Sequence, residues 1–496
     1  MKFDQAYYDK IEASIPKEGF RTRFAPSPTG YMHLGNLRTA LYGYLIAKNA
    51  NGKFLLRIED TDTDRTVDGA IDIIYNTLET CGITFDEGPK TGGPVAPYTQ
   101  SERKEIYAAY AQLIMEKGHG YRCFCTKETL EEMKNVQKAS RMATKYDGRC
   151  SRLSEEEVQA KLDAGESFVV RQKIPKEGKT SFTDMIFGTI EVENDTLDDA
   201  VLIKADGMPT YNFANVVDDH LMGITHVIRG TEYLASAPKY NLLYQGFGWE
   251  IPQYIHCSPV MKDATRKLSK REGDASFGDL QEKGYLTEAI LNYIALLGWS
   301  PGGENEKFSI EELITAFHIE GISKSAAIFD IKKLNWLNGV YLRDMSDDAF
   351  HEAALPYIKK AVKRDIDTRF TAKMIQERVE ILSDIEEQLD FIDTLPEYSS
   401  DLYENPKMKV SKDTVAPVLA EIKTLLQNTT TWEKDHMQAE LKELVTRLGL
   451  KNGQVLYPLR VALSGKSQTP GGGVEIAVLL GKEETLNRLT KAGEML

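Results

Sequence analysis

Cysteine is scarce in this chain, with five in 496 residues. That is too few for a disulfide framework at this length, and a reducing compartment, the cytoplasm, is expected. Long apolar runs are missing as well. The best of them, Ala289–Trp299, contains Asn292 and falls far short of the ~20 residues a membrane span needs. The first twenty residues hold no apolar stretch of signal-peptide length, so neither export nor a membrane is expected. There is no internal repeat and no low-complexity tract. GxxxxGK[ST] and GxGxxG are both absent, which excludes the P-loop and dinucleotide fingerprints. Positive charge is in deficit: 61 Lys and Arg stand against 75 Asp and Glu, a net charge of −14. Taken alone this argues against a nucleic-acid partner, because phosphate binding needs Lys and Arg. The sum does not exclude a basic face on one side of the molecule.

What is present suffices for roughly three domains of about 150 residues each. Arg21–Phe24 predicts a short strand, and Ala25–Gly30, with two prolines and a glycine, a loop. Leu37, Leu41, Leu45 and Ile46 recur at helical spacing over Leu34–Asn49, and Asn49–Gly52 is a stop signal. Phe54–Ile58 reads as a buried strand ending in Glu59 and Asp60. Such a βαβ opening predicts an α/β domain with a parallel sheet. The Gly/Pro-rich stretch Gly88–Pro97 is an exit from it, and 98–215 reads as an insertion. At Thr225–Ile228 the buried-strand pattern returns. From about Met345 onward the chain is helix-like, apart from Pro-containing breaks and the loop Gly465–Gly473.

Two segments carry the chemistry. In Phe24–Asn36 a strand ends, a stiffened loop turns and a helix begins, and ligands bind at such strand ends. The helix N-terminus offers unpaired N–H groups and partial positive charge to phosphates. There His33 is placed to hydrogen-bond a phosphate oxygen, and Gly35 lets a ring or ribose approach the backbone. Lys262–Arg271 holds five basic residues and one acidic residue, followed by Glu272 and Gly273. A loop of that kind can close on a polyphosphate and neutralise the charge of a departing pyrophosphate. Separately, each is more simply a Pro-rich turn and a solvated basic run; together, on this scaffold, they predict ATP chemistry.

Arg23 and Arg229 both fall at predicted strand ends, and guanidinium forks match carboxylates. Tyr211 and Asn215 lie four apart, on one face if helical. Glu59 can take an ammonium group. Cys123, Cys125 and Cys150 lie within 28 residues, with Tyr146 between the last two; three thiolates suit Zn²⁺.

PSPTGYMHLGN resembles the HIGH element of class I aminoacyl-tRNA synthetases, and KLSKR resembles their KMSKS loop. Leu34, Asn36, Leu268 and Arg271 depart from those patterns. His33, Gly35, Lys267, Ser269 and Lys270 keep them. With TRFAPSPTG, RIEDTDTDR, DEGP, YDGRC and PTYNFANVVDDHLMGITHVIRGTEYL, the first 345 residues resemble bacterial glutamyl-tRNA synthetase. The resemblance implies a Rossmann-type catalytic domain in two halves, 1–97 and 216–345, the second with the KLSKR loop and a stem-contact region. It implies an inserted α+β acceptor-end-binding domain at 98–215 and a helical anticodon-binding region at 346–496. Gln454–Leu463 and Thr469–Gly473 carry the likeness in the tail. Arg23, Ser27, Glu59, Tyr211, Asn215 and Arg229 would line a glutamate site. His33, Gly35, Glu232 and Lys270 would lie near ATP with its Mg²⁺, and His33, Gly35, Lys267 and Lys270 would be catalytic.

The resemblance implies ligation of L-glutamate to tRNA(Glu) through glutamyl-adenylate, by a monomer. An anticodon-reading tail would then require a basic groove from the insertion to the tail. Some relatives bind zinc in the insertion through CxC, a later Cys and a Tyr or His. Arg152 stands where that His can occur, so Tyr146 would be the fourth ligand; reduced cysteines without metal are the alternative. Three readings compete: an enzyme that also charges tRNA(Gln) or a glutaminyl-tRNA synthetase relative, a short queuosine-modifying relative that lacks the tail, and a non-catalytic tRNA-binding protein.

Overall fold

The computed structural model describes residues 3–29, 32–62, 67–268 and 276–496. The chain forms two compact units, Met1–Asp279 with Ile290–Asp330, and Leu280–Ala289 with Ile331–Leu496.

The first unit begins with α1 (Gln5–Glu12), β1 (Arg21–Phe24), α2 (Leu34–Asn49), β2 (Lys53–Leu56), α3 (Ala70–Thr80) and α4 (Lys104–Glu116). Next come β3 (Gly120–Cys123), α5 (Lys127–Ala139), α6 (Glu155–Asp163), β4 (Val169–Gln172), β5 (Lys179–Asp184), β6 (Gly188–Glu193) and β7 (Val201–Ile203). Then follow α7 (Tyr211–Leu221), β8 (His226–Gly230), α8 (Ala237–Phe247) and β9 (Gln253–Cys257).

β1 pairs in parallel with β2, from Arg21 opposite Lys53 to Phe24 opposite Leu56. β8 pairs in parallel with β9, from His226 opposite Gln253 to Gly230 opposite Cys257. The amide of Thr225 donates to the Arg21 carbonyl at 3.0 Å and ties the two pairs together. The carboxyl ends of β1, β8 and β9 therefore face the same way, as a parallel α/β sheet requires. α2 buries Leu37, Leu41, Leu45 and Ile46 as its spacing predicts, and Arg38 and Tyr42 besides. It lies close on β1, where Thr22 Oγ1 donates to the Gly43 carbonyl at 2.9 Å.

β2 ends two residues before the predicted Ile58. Past Leu56 the Arg57 amide still donates to the Phe24 carbonyl of β1, while on the other side the backbone passes from Glu87, which accepts the Leu56 amide, to Tyr98, which accepts that of Ile58. The segment 98–215 supplies more than a separate sheet. β3, β4 and β7 form one of their own, but the β5–β6 hairpin joins β9 and gives the order β6-β5-β9-β8.

The second unit is helical, and its described residues 331–496 include no strand. Its core packs Phe350, Ile358, Leu419, Ile422, Val461 and Ile476. The expected Pro-containing breaks fall at Pro396 and Pro406, while Pro356, Pro417 and Pro458 lie inside helices Asp347–Ala361, Lys412–Asn428 and Asn452–Ser464. Each forfeits one helical N–H, and the apolar faces buried on either side outweigh that loss. The loop before the last helix is as predicted: Gly465, at φ 66°, ends one helix and Gly473 begins the next.

Candidate active site

A cavity of about 400 Å³ opens at the carboxyl ends of β1, β8 and β9. Arg23, Ser27, His33, Gly35, Glu59, Tyr211, Arg229, Glu232 and Lys267 all line it. Residues almost 250 positions apart in sequence thus meet in one place. Asn215 is not in the lining: it is buried, and its Nδ2 donates to the Tyr211 carbonyl at 2.6 Å, one helical turn back. Lys270 lies outside the described residues.

The β1–α2 turn supplies one wall. His33 is the N-cap of α2, and its Nδ1 accepts from the Asn36 amide at 3.3 Å. That replaces one of the partners missing at a helix start. A Cβ on Gly35 would meet the His33 ring at 3.1 Å, so glycine lets the ring stay where it is.

The second signature segment reaches the same wall. Lys262 and Arg266 close a tight hairpin, and Leu268 donates its amide to Val260. Asp263, its single acidic residue, accepts from the amides of Thr265 and Arg266 and from Arg266 Nε. Those bonds hold its carboxyl well below the usual carboxylate range. Ser276 forms a bridge to His33. Ser269 and Arg271 lie, like Lys270, outside the described residues.

The two predicted arginines are held in different ways. Asp219 accepts from Arg23 Nε at 2.9 Å and Nη2 at 3.2 Å. Arg229 Nε donates to His256 Nε2 at 3.0 Å, and its buried Nη2 has no hydrogen-bond partner among the described residues. A buried donor of this kind calls for a partner from solvent or from a ligand, and Arg229 carries it in the wall of the cavity. Tyr233, Tyr240 and Tyr254 face the Arg229 guanidinium with ring centres 5.4, 4.8 and 5.0 Å away, a cation–π arrangement.

Glu59 is less free than its strand-end position suggests. Arg57 Nε and Nη2 both donate to its Oε1, at 3.2 and 2.9 Å, while Arg57 Nη1 reaches Asp219 at 2.7 Å. Burial pushes the Glu59 carboxyl up despite Arg57 and Arg23. Behind this pair Asp218 accepts from Gln100, Arg103 and Tyr107 and anchors the start of α4 to α7. Arg57, Asp219, His256 and Asp184 were not singled out from the sequence. The available signals were an acidic pair within an otherwise apolar helix and a histidine inside the buried strand Tyr-Ile-His-Cys.

Away from the cavity, the sulfurs of Cys123, Cys125 and Cys150 lie within 4.8 Å of one another, Cys125 and Cys150 at 3.6 Å. Sulfurs around a tetrahedral zinc with bonds of about 2.3 Å sit about 3.8 Å apart, so the set fits that ion. Tyr146 Oη lies 3.3 Å and 3.4 Å from the sulfurs of Cys123 and Cys125, in place to be a fourth donor. Arg152 turns away, its Nη1 donating to the Asp147 carbonyl.

Residues 19–336 match the catalytic domain of tRNA synthetases class I (E and Q), and residues 349–493 match an anticodon binding domain. The chain belongs to this class I family and, within it, to the bacterial-type glutamyl-tRNA synthetases. A glutamate–tRNA ligase of Clostridium botulinum (strain Eklund 17B / Type B) is 56% identical over 483 residues, 96% of this chain and 99% of that one. That of Clostridium tetani (strain Massachusetts / E88) is 58% identical over 469 residues, 95% and 96% of the two chains. The crystal structure of a glutamate tRNA ligase from Elizabethkingia meningosepticum, in complex with its amino acid, matches with a TM-score of 0.86 at 37% identity, over 97% of this chain and 100% of that one.

Proposed function

We propose that this cavity activates L-glutamate with ATP and that the enzyme transfers the glutamyl group to tRNA(Glu). The observation that carries the reading is Arg229, a buried guanidinium with an unpartnered Nη2, lining one cavity with Arg23 and the N-terminus of α2. An acidic amino acid satisfies the first two groups and nucleotide phosphates the third. The clostridial relatives are named for this ligation, and the Elizabethkingia protein is described with its amino acid bound.

In the first step a glutamate carboxylate oxygen attacks the α-phosphorus of ATP. The bond from that phosphorus to the β-phosphate oxygen breaks, and pyrophosphate leaves. A terminal ribose hydroxyl of tRNA then attacks the glutamyl carbonyl, and AMP departs with the former anhydride oxygen. Arg23, Ser27, Tyr211 and Arg229 orient the amino acid, with Asn215 fixing the first turn of α7. Glu59 meets its ammonium group. His33, Gly35 and Glu232 seat the nucleotide, and Lys267 and Lys270 neutralise charge growing on pyrophosphate. This is catalysis by positioning and electrostatics. Mg²⁺ bound to the phosphates of ATP would shield their charge.

Segment 98–215 receives the acceptor end, 216–345 completes the catalytic domain and contacts the stem, and 346–496 reads the anticodon. Cys123, Cys125, Cys150 and Tyr146 would hold a structural Zn²⁺, which would fix the fold around β3. The enzyme works as a cytoplasmic monomer. Aminoacylation with labelled glutamate, run separately on tRNA(Glu) and tRNA(Gln), tests the reading. Charging of tRNA(Glu) alone is expected. Charging of both makes the enzyme non-discriminating, and charging of neither overturns the proposal.

A further inference from the structure

The two arginines of the cavity have opposite electrostatic settings. Arg23 touches its counter-charge, since both oxygens of Asp219 accept from it. Arg229 touches none among the described residues. Its Nε donates to an imidazole nitrogen, its Nη2 is buried without a partner, and aromatic rings face its plane.

That imidazole belongs to His256, which is fully buried. Because Nε2 accepts from Arg229, the ring proton sits on Nδ1, which donates to Asp184 Oδ2 at 2.6 Å. Asp184 is itself fixed. Its Oδ1 accepts from the amides of Ile186 and Phe187 at 2.9 and 2.8 Å, and its Oδ2 also accepts the His256 amide at 3.1 Å. A protonated ring would aim a second N–H at the Arg229 Nε–H, so geometry requires the neutral form. Burial, with the Arg229 charge beside the ring, also lowers the imidazole below its ordinary value.

We propose that His256 and Asp184 are positioning residues for Arg229: they aim its guanidinium into the cavity through a neutral ring and so leave its charge uncompensated for a substrate carboxylate. A carboxylate in place of His256 would orient Arg229 equally well, but it would supply the counter-charge that the substrate is to bring. The arrangement also gives the β5–β6 hairpin a role in the amino-acid site, since β5 ends on Asp184 and pairs with β9 at that residue. The inference rests on the reading that Arg229 meets a glutamate carboxylate.

Aminoacylation kinetics at varied glutamate and varied ATP test it with Arg229→Ala, His256→Leu, His256→Gln and Asp184→Asn. Arg229→Ala tests the underlying reading alone: an unchanged KM for glutamate sinks that reading. His256→Leu is expected to raise KM for glutamate by about tenfold to a hundredfold, the usual penalty for losing an outer support, with KM for ATP little moved. His256→Gln, which can accept from Arg229 and donate to Asp184, restores part of the loss. Asp184→Asn is the sharpest variant. Its amide donates where the carboxylate accepted, so His256 must carry its proton on Nε2, facing Arg229. A rise in glutamate KM with the fold intact is expected, as with a triad aspartate whose loss sets the wrong tautomer. Nitrogen-15 NMR of His256 should show the neutral Nδ1–H form in the parent and the Nε2–H form in Asp184→Asn. If Arg229→Ala is impaired while Asp184→Asn keeps the parental glutamate KM, or if glutamate and ATP KM rise together, the positioning role is overturned. A parent His256 found protonated or as the Nε2–H form overturns it as well, even where His256→Leu fails to fold.

Discussion

Asp219 Oδ1 lies 2.9 Å from Arg23 Nε and 2.7 Å from Arg57 Nη1, so one carboxylate oxygen joins an arginine of the cavity wall to one wholly buried. Arg23 holds the carboxyl of Asp219 below its usual value against the effect of burial. Asp219→Ala would leave two guanidinium groups without a shared counter-charge. Breaking buried pairs in this way costs about 3–5 kcal/mol. A urea titration should show a loss of that order, and the folded fraction should have a raised KM for glutamate. Asp219→Asn, which keeps an acceptor, should lose less. A parental midpoint for Asp219→Ala would show that this carboxylate does not support Arg23.

Gly35→Ala separates activity from stability. The new Cβ would sit 3.1 Å from the His33 ring, so the ring must turn and loosen its bond to the Asn36 amide. The ring need give by only a few tenths of an ångström, against the shift of about an ångström that costs on the order of a hundredfold at a reacting site. Aminoacylation at varied ATP should show a loss well short of about a hundredfold, in KM for ATP or in kcat. Thermal melting should not fall, because alanine exceeds glycine in helix propensity by about 1 kcal/mol. A variant that melts early and keeps its ATP kinetics would place the role of Gly35 in the fold.

Local signals in the sequence predict what is local in the structure. The spacing of Leu37, Leu41 and Leu45 marks a helix over Leu34–Asn49, and the structure has that helix. Arg23 and Arg229 at predicted strand ends come to one cavity because parallel strands finish on one side. The supports of those arginines were not legible, since each joins residues far apart in sequence. Asp184 and His256 are 72 positions apart and meet only because β5 pairs with β9. Spacing within a segment cannot reveal such a pairing. Nor could it foresee that Asn215 would turn back on the Tyr211 carbonyl, or that Arg57 would occupy Glu59 Oε1. Pro458 shows a related limit: propensity makes a proline a breaker, while burial of Val455, Leu459 and Ala462 on the same helix keeps the chain helical.

The cysteine cluster makes a prediction independent of the cavity. Protein purified gently should carry close to one zinc per chain by atomic emission, and Cys125→Ser should lose most of it. Structural zinc contributes on the order of 10 kcal/mol in small metal-dependent folds. Chelation should therefore open the chain around 123–150 to protease while the helical unit stays protected. Zinc-free protein that resists protease equally with and without chelator would show that the thiols serve without metal.

The last prediction concerns pH and His226. Its ring stacks on Phe20 at 3.9 Å, and burial lowers the imidazole from an ordinary 6.5 to about 4. Between those values the unfolded chain binds a proton that the folded chain does not, so acid favours unfolding. The contribution of His226 is complete above about pH 6.5, falls as the pH drops toward 4, and stays lost below that. At about 1.4 kcal/mol per pH unit across the interval, the loss cannot exceed about 3.5 kcal/mol, and solvent screening of the half-buried ring keeps it below that. His256, also lowered by burial, adds to the slope in the same direction. His226→Phe keeps an aromatic ring against Phe20 and removes the titration. Its melting temperature should decline less between pH 6.5 and 4 than that of the parent, with the remaining slope carried by His256 and by carboxylates held low in the fold, Glu12, Asp219 and Glu475 among them. If both proteins lose stability equally over that interval, His226 takes up its proton without unfolding and the assignment fails.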